Sequence, residues 1–206
     1  MKKAAMIFLS LVVVMFLATR VQAELVFDLD FGQDGIAEQK LDGVDYWELT
    51  PSEVVWIDVY VSNVPDPGLI SFGIDIAYDP SQLGVTPGTE TYMPNWYITS
   101  AADISTPGDI IMKGGRMFPG LAGDNIKLGT IELHCEAIGL SDIWLYDTDR
   151  CGGFDDFVLA DGSGLDDEFC ATGIKLGSVN NVPIPGSFLL LASALFGLVG
   201  IKRKSI

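Results

Sequence analysis

The sequence predicts an all-β fold, either a sandwich or a barrel, for residues 24–182. Apolar segments there are short, rich in β-branched and aromatic residues, and separated by clusters of Gly, Pro, Asp and Ser, which is typical of all-β domains. This part of the chain shows no internal repeat and no amphipathic helical pattern. Its longest linker-like stretch is Gly177–Asn181.

Three strands are predicted in the first half of this segment: Leu25–Asp30, Val54–Val61 and Ile70–Tyr78. Pro65–Gly68 has the composition of a turn and precedes the third strand. In that strand Phe72, Ile74 and Ile76 alternate with small or polar residues. This alternation predicts one buried face and one exposed face.

Four further strands are predicted: Asp109–Lys113, Lys127–His134, Ser141–Tyr146 and Thr172–Leu176. Asp79–Leu83 is predicted to be a turn with proline at its second position, and residues 86–106 to be long loops with at most one strand. Alternation after residue 130 puts Cys135 on the apolar face, as a small core residue, and His134 on the polar face.

The N-terminus has the pattern of a secretory signal peptide over residues 1–23. Lys2 and Lys3 precede the apolar run Ala4–Ala18, and small or aliphatic residues at Val21 and Ala23 fit cleavage by signal peptidase after Ala23. A retained membrane helix needs roughly 20 apolar residues, more than this run supplies.

Residues 183–206 form a second terminal signal. The apolar stretch Gly186–Ile201 is predicted to be a transmembrane helix, and basic residues follow it at the end of the chain. Such charges hold that end in the cytoplasm. A simple C-terminal anchor is the alternative reading of this segment alone.

Charge is concentrated between the two signals. The signals hold six of the twelve basic residues, whereas all 28 acidic residues lie in residues 24–182, so six positive against 28 negative charges give −22 there. A nucleic-acid partner is excluded, because a phosphate backbone would be repelled. Calcium, a cationic surface or solubility in an extracellular matrix are compatible with this charge.

The cysteines fit export into an oxidising compartment. Cys151 and Cys170 lie in loop-like sequence rich in Gly and Asp. We therefore expect these two cysteines, and not Cys135, to form a disulfide. The closed loop would stabilise the fold by about 3 kcal/mol in the chain-entropy model.

A calcium site is predicted in the same region, because hard cations prefer loops dense in carboxylates and backbone carbonyls. The candidate ligands are Asp147, Asp149, Asp155, Asp161 and Asp166. They do not match the EF-hand spacing. The alternative is that they are solvated loop acids, and no other cofactor is predicted.

Aromatic residues in the predicted loops are candidates for glycan binding. Tyr92, Trp96 and Tyr97 could stack on the apolar faces of sugar rings; the alternative is that the tryptophans pack in the core. No catalytic residue is predicted. His134 is the only histidine, which argues against a Ser-His-Asp triad or a zinc site.

The C-terminal segment resembles the sorting signal of the PEP-CTERM family, whose members are substrates of exosortase. The residues that carry the resemblance are Val182, Pro183, Ile184, Pro185 and Gly186, then the apolar helix, then Lys202, Arg203 and Lys204. Ile184 replaces the usual glutamate, as in a VPxPG-like variant. The resemblance implies a Gram-negative bacterium, export, transient anchoring in the inner membrane, and release to the cell surface or an exopolysaccharide matrix.

The segment Ser71–Leu83, with its Tyr-Asp-Pro, and the later Gly129–Leu133 resemble the superfold shared by cohesins and carbohydrate-binding modules. The resemblance implies a jelly-roll β-sandwich and a dockerin-like protein or exopolysaccharide as partner. We therefore expect an exported, non-catalytic protein that binds glycan or protein. A secreted polysaccharide hydrolase and a purely structural anchored protein are the alternatives.

Overall fold

A computed structural model describes residues 25–32, 39–41, 44–89, 96–148, 156–165 and 172–183. These residues form thirteen strands: β1 (Val26–Phe31), β2 (Gln39–Leu41), β3 (Val44–Leu49), β4 (Val54–Ser62), β5 (Val64–Ala77), β6 (Leu83–Val85), β7 (Ile98–Thr99), β8 (Asp109–Gly115), β9 (Leu121–Gly123), β10 (Ile126–Cys135), β11 (Gly139–Tyr146), β12 (Val158–Leu159) and β13 (Ile174–Asn181). Within the described ranges no helix is long and apolar enough to cross a membrane. The all-β prediction is confirmed.

The strands form two sheets. The smaller sheet has the order β1-β4-β10-β6, and the larger has the order β2-β3-β13-β11-β5-β8-β7, with β9 and β12 paired to the first part of β5. The pairs are antiparallel except for β3 with β13, which are parallel. The predicted β-sandwich is confirmed by this arrangement.

The core lies between the two sheets. Ile57 and Val59 on β4 and Leu133 on β10 face Phe72 and Ile74 on β5, and none of these side chains is more than 1% exposed. Val55, Ile57, Val59 and Val61, which alternate along β4, are all buried. Each such side chain contributes about 1.5–3 kcal/mol by leaving water.

The turn predicted at Pro65–Gly68 is wrong, because β5 runs through this stretch. Its partner is β9, whose Gly123 lies opposite Val64 and whose Leu121 lies opposite Leu69, with a shift of register between the two pairs. Gly68 has a φ of +90°, a conformation open mainly to glycine. The segment is an irregular part of a long strand.

The middle of β5 is buried on both faces, not on one as predicted. Gly73 and Asp75 point away from the core, yet both are buried. A Cβ atom on Gly73 would lie 2.5 Å from Oδ1 of Asp156, so the segment before β12 covers this part of the strand. The residue pattern of β5 could not predict this burial, because the covering residues come from a distant part of the sequence.

Gly177–Asn181 is not a linker but the second half of β13. It pairs with β11 on one side and with β3 on the other, where Gly177 lies opposite Asp45 and Asn181 opposite Leu49. Val179 in its centre is fully buried. Strand β3, which the sequence did not predict, thus pairs in parallel with the last strand.

Candidate binding surface

Several predicted site residues lie outside the described ranges: Ala23, Tyr92, Asp149, Cys151, Asp155, Asp166, Cys170, Ile184, Pro185, Gly186, Lys202, Arg203 and Lys204. Val182 and Pro183 directly follow β13, and the Val182 amide donates a hydrogen bond of 2.8 Å to the carbonyl of Leu49. The signal-peptide cleavage, the disulfide and the sorting motif stay predictions.

Two of the predicted calcium ligands are described. Asp147 is buried, whereas Asp161 is exposed and its Oδ1 accepts hydrogen bonds from Oγ (2.6 Å) and N (3.0 Å) of Ser163. These bonds lower the pKa of Asp161 and close a turn. The described ranges contain no group of three or more His, Cys, Asp or Glu arranged to hold a metal ion. The calcium site stays a prediction.

Trp96 belongs to the core and not to the predicted glycan-stacking surface. Its side chain is 4% exposed. The indole nitrogen donates a hydrogen bond of 2.9 Å to the Lys127 carbonyl, and the ring contacts Phe72 edge-on, with centroids 4.7 Å apart. No face of the ring is open to a sugar, so Trp96 is an anchor between β7 and β10.

Tyr97, the next residue, is on the surface and belongs to an exposed hydrophobic cluster. The cluster, which we call the edge patch, consists of Tyr97 (65% exposed), Ile98 (65%), Met117 (73%) and Phe118 (71%). They lie on two neighbouring segments, because Ile98 pairs with Gly115 at the end of β8, just before Met117 and Phe118. Exposed hydrophobic clusters of this kind mark interaction sites.

A groove of about 500 Å³ lies beside the edge patch, on the outer face of the larger sheet between β5, β8 and β7. Ile98, Lys113, Arg116 and Asp156 are among its lining residues. Gly114 on β8 has no room for a larger side chain, since a Cβ atom there would lie 2.2 Å from the Phe72 ring. A change at this glycine would disturb the floor of the groove.

Arg116 joins the edge patch to the groove. Its guanidinium carbon lies 5.8 Å from the centroid of the Tyr97 ring, within the range of a cation–π contact. Nε donates a long hydrogen bond of 3.4 Å to the carbonyl of Met117, while Nη1 is buried and has no hydrogen-bond partner among the described residues. The buried Nη1 is therefore closed to an outside partner.

A second groove, of about 320 Å³, lies on the same outer face between β5 and β11. It is lined by Tyr78, Asp79, Leu140, Asp142 and Trp144, among others. Trp144 is half-buried with its ring in this groove.

The carboxyl groups of the second groove are held ionised. Hydrogen bonds from the hydroxyl and amide of Ser81 lower the pKa of Asp79. Partial burial acts to raise the pKa of Asp142, but hydrogen bonds from Lys175 and Ser178 and the charge of Lys175 lower it overall. Neither acid is suited to donate a proton at neutral pH, as glycoside hydrolysis would require.

The outer face of the smaller sheet is organised around Asp58. This carboxylate is 5% exposed, and it accepts hydrogen bonds of 2.6 Å from Nζ of Lys127 and from Oγ1 of Thr130. The Tyr60 hydroxyl lies 3.4 Å away, and its pKa is raised by burial and then by the charges of Asp58 and Asp30. Lys127 therefore forms its ion pair within the fold.

His134 and Cys135 lie on opposite faces of β10, as predicted. His134 is partly exposed, with Nε2 at 2.9 Å from Oε1 of Glu136. Cys135 packs against the core, and burial, followed by the charges of Glu136 and Glu53, raises the pKa of its thiol. A raised pKa disfavours the reactive thiolate.

Known structures with a similar fold include cohesins. The sixth cohesin of scaffoldin B from Acetivibrio cellulolyticus, solved in complex with a Cel5 dockerin mutant, aligns with a TM-score of 0.52 and 13% identity over 76% of this chain and 99% of that chain. A type III cohesin module from the cellulosomal ScaE cell-surface anchoring scaffoldin of Ruminococcus flavefaciens gives 0.52 and 16% over 77% and 88%. The cohesin CaCohA2, solved with the dockerin CaDoc0917, gives 0.51 and 16% over 76% and 100%.

These likenesses confirm a cohesin-like β-sandwich. At 13–16% identity they show the fold alone, and fold does not determine function. No protein-family model and no curated protein matches the sequence. The PEP-CTERM resemblance of the C-terminal segment stays a prediction.

Proposed function

We propose that this chain is an exported, non-catalytic module that binds a protein partner on the outer face of its larger sheet. The observation that carries the proposal is the edge patch, where two neighbouring segments of the chain carry four large hydrophobic side chains that are 65–73% exposed. Leaving such a cluster in water is unfavourable, and a partner that covers it gains the burial energy.

The residue types of the edge patch favour a protein partner. Tyr97 and Phe118 are aromatic side chains with few rotatable bonds, and aromatic residues, Met and Arg are enriched at protein interfaces. Arg116 at the border supplies a polar contact that can fix the orientation of the partner. The patch thus has an apolar centre and a polar rim.

A dockerin-like protein is the partner class that the fold favours. Two of the three similar cohesins named above were solved as complexes with dockerins. Those structures support the class of partner but assign no residue of this chain to it. The contact surface is therefore proposed from the geometry of the edge patch and its groove.

The test is a selection of binding partners with a matched control. A phage-displayed library of genomic fragments from the source bacterium is selected on the purified protein, and the selected fragments are measured against two double variants. In the first, Ile98→Ser and Phe118→Ser remove the edge patch. In the second, Val26→Ser and Val54→Ser remove two exposed hydrophobic residues of the smaller sheet.

The proposal requires the edge-patch variant to bind at least about tenfold more weakly, which corresponds to about 1.4 kcal/mol. The control variant is expected to bind like the wild type. Fragments that lose affinity for the control variant instead would place the binding surface on the smaller sheet and contradict the proposal.

We also propose that the protein is exported and sorted by an exosortase-like enzyme, after signal peptidase cleaves behind Ala23. The signal-like patterns at both ends support this, and inner-membrane anchoring would be transient. Mass spectrometry of the native protein tests it directly. A mature chain that starts at Glu24 and lacks Lys202, Arg203 and Lys204 is expected; a mature chain that still carries these three residues contradicts sorting with release.

Glycan binding is a second candidate, favoured by the groove at Trp144. An aromatic ring beside the ionised carboxylates of Asp79 and Asp142 matches the chemistry of a sugar-binding groove. A glycan microarray probed with the wild type and Trp144→Ala tests it, with exopolysaccharide fragments included. Binding that disappears in the variant would support it, and no binding to any glycan would remove it.

A further inference from the structure

We infer that the partner presents a carboxylate beside apolar side chains, and that Lys113 and Arg116 bind this carboxylate while the edge patch binds the apolar groups. The inference rests on the proposed protein-binding function of the same surface and adds the chemistry of the bound segment. The observation behind the inference is the way in which the few basic residues are distributed in an acidic chain.

Basic side chains are scarce in residues 24–182, which carry −22: Lys40, Lys113, Arg116, Lys127, Arg150 and Lys175. Among the described residues, two of them have carboxylate partners, Lys127 with Asp58 at 2.6 Å and Lys175 with Asp142 at 2.8 Å. Within the described part of the chain, Lys113 and Arg116 form no ion pair. Both line the groove next to the edge patch.

Both residues line the groove, Lys113 from within β8 and Arg116 from the position that follows it. Lys113 lies opposite Gly73 on β5, which the side chain of Asp156 covers. Arg116 follows β8 directly, and its amide donates a hydrogen bond of 2.8 Å to the carbonyl of Ile70, which fixes the backbone there. Two cationic groups thus border one groove.

Arg116 is preorganised to receive a carboxylate. Its contact with the Tyr97 ring orients the guanidinium beside the edge patch. A guanidinium and a carboxylate form charge-assisted hydrogen bonds that are about twice as strong as neutral ones. Nη1 is enclosed by the protein, so a carboxylate of the partner would bind the remaining N–H groups of the guanidinium.

Asp156 is the one acid among the described residues that line the groove. Its Oδ2 accepts a hydrogen bond of 3.0 Å from the amide of Thr148 and a second bond from the hydroxyl of the same residue. The three charged residues among the described part of the lining therefore sum to +1, within a segment of −22. The groove is a local exception to the charge of the chain.

The net charge of the whole segment and the local charge of the groove predict opposite peptide preferences, and this difference can be tested. The net charge of the segment favours cationic peptides, whereas the groove favours anionic ones. The probe is a synthetic array of ten-residue peptides with three apolar positions (Leu, Ile or Phe), in which the neighbouring position is Asp, its neutral isostere Asn, or Lys. The purified protein is applied at physiological salt.

Peptides with Asp are expected to bind about tenfold more tightly than their Asn counterparts, because charged hydrogen bonds are stronger than neutral ones. In the variant with Lys113→Gln and Arg116→Gln, Asp and Asn peptides should bind equally well. Binding of the apolar positions should remain. A control variant, Lys175→Gln, removes a basic residue outside the groove and should keep the preference.

The remaining outcomes separate the two proposals. Equal binding of Asp and Asn peptides, or stronger binding of Lys peptides, overturns the inference but leaves the protein-binding function in place, provided that binding still requires Ile98 and Phe118. Absence of binding to every peptide class by the folded protein overturns both.

Discussion

The outer faces of the two sheets differ in how their charges are used. On the smaller sheet, Asp58 is almost fully buried and bound by Lys127 and Thr130. On the larger sheet, Lys113 and Arg116 have no carboxylate partner among the described residues and border a patch of exposed hydrophobic side chains. On the first face Asp58 and Lys127 are paired with each other, whereas the second leaves cationic groups and apolar surface for another molecule.

This difference separates residues that stabilise the fold from residues available for binding. A buried charge is tolerated only when partners compensate for its desolvation, so the residues around Asp58 depend on one another. Exposed residues such as Ile98 or Phe118 contribute little to the fold. Substitutions on the two faces should therefore act on different quantities.

The largest effect is expected for Trp96→Ala, set against Tyr97→Ala next to it. Trp96 fills the core and bonds to the Lys127 carbonyl, so its truncation should lower the free energy of unfolding by about 4 kcal/mol. Tyr97→Ala should stay within about 0.5 kcal/mol. Urea denaturation measures both. Equal losses for the two would mean that Trp96 is not a core residue.

The second largest effect is expected for Asp58→Ala. It should lower the free energy of unfolding by about 3 kcal/mol, because it removes the carboxylate that Lys127 and Thr130 bind. Glu132→Ala on the same face is the control and should cost less than about 0.5 kcal/mol. Thermal and urea unfolding of both variants check this. A loss below 1 kcal/mol for Asp58→Ala would contradict the view of the smaller face as a self-satisfied network.

A pair of lysine substitutions compares the faces directly. Lys127→Ala should cost about 2 kcal/mol, since it removes the cation from a buried carboxylate while leaving Thr130. Lys113→Ala should leave stability unchanged within about 0.5 kcal/mol. The same denaturation experiments apply. A similar cost for the two lysines would show that Lys113 also has a structural partner.

The smallest effect concerns the ion pair on the larger face, between Asp142 and Lys175. Hydrogen bonding to Ser178 and Lys175 and the lysine charge lower the pKa of Asp142 in the fold, despite its partial burial. Its contribution is then complete above the unfolded value of about 3.9 and is lost as pH falls through the lower folded value.

Both side chains of this pair are about a third exposed (31% and 37%), so solvent screening limits the contribution to below about 1 kcal/mol. Asp142→Asn should therefore lower stability slightly at neutral pH and reduce its decline below pH about 4. Unfolding measured across this range checks it. An unchanged slope of stability against pH in the variant would argue against the pair.

The strands with strong alternation could be predicted from sequence because each carries its own pattern. Strands β4 and β10 are the clearest examples. The second half of β13 could not be predicted, since Gly, Ser and Asn resemble a linker and the pairing with β3 involves residues more than 100 positions away. The cover that Asp156 places over Gly73 is also long-range.

The binding surface was predictable only in part. Trp96 and Tyr97 are adjacent aromatic residues in a segment without a regular hydrophobic pattern, so the sequence could not show which of the two is buried. Lys113 and Arg116 were not singled out, although two basic residues around a Gly-Gly pair in an acidic chain are a visible signal. Only the fold shows that they border one groove.

The most direct test of the account is to map the binding surface by NMR. Backbone amide shifts of the labelled protein are followed while a selected fragment or an Asp-containing peptide is added. The account predicts that the shifts change at residues 97–99 and 113–118, and stay constant around Asp58 and Lys127. Changes centred on the outer face of β4 and β10, with none at the edge patch, would contradict it.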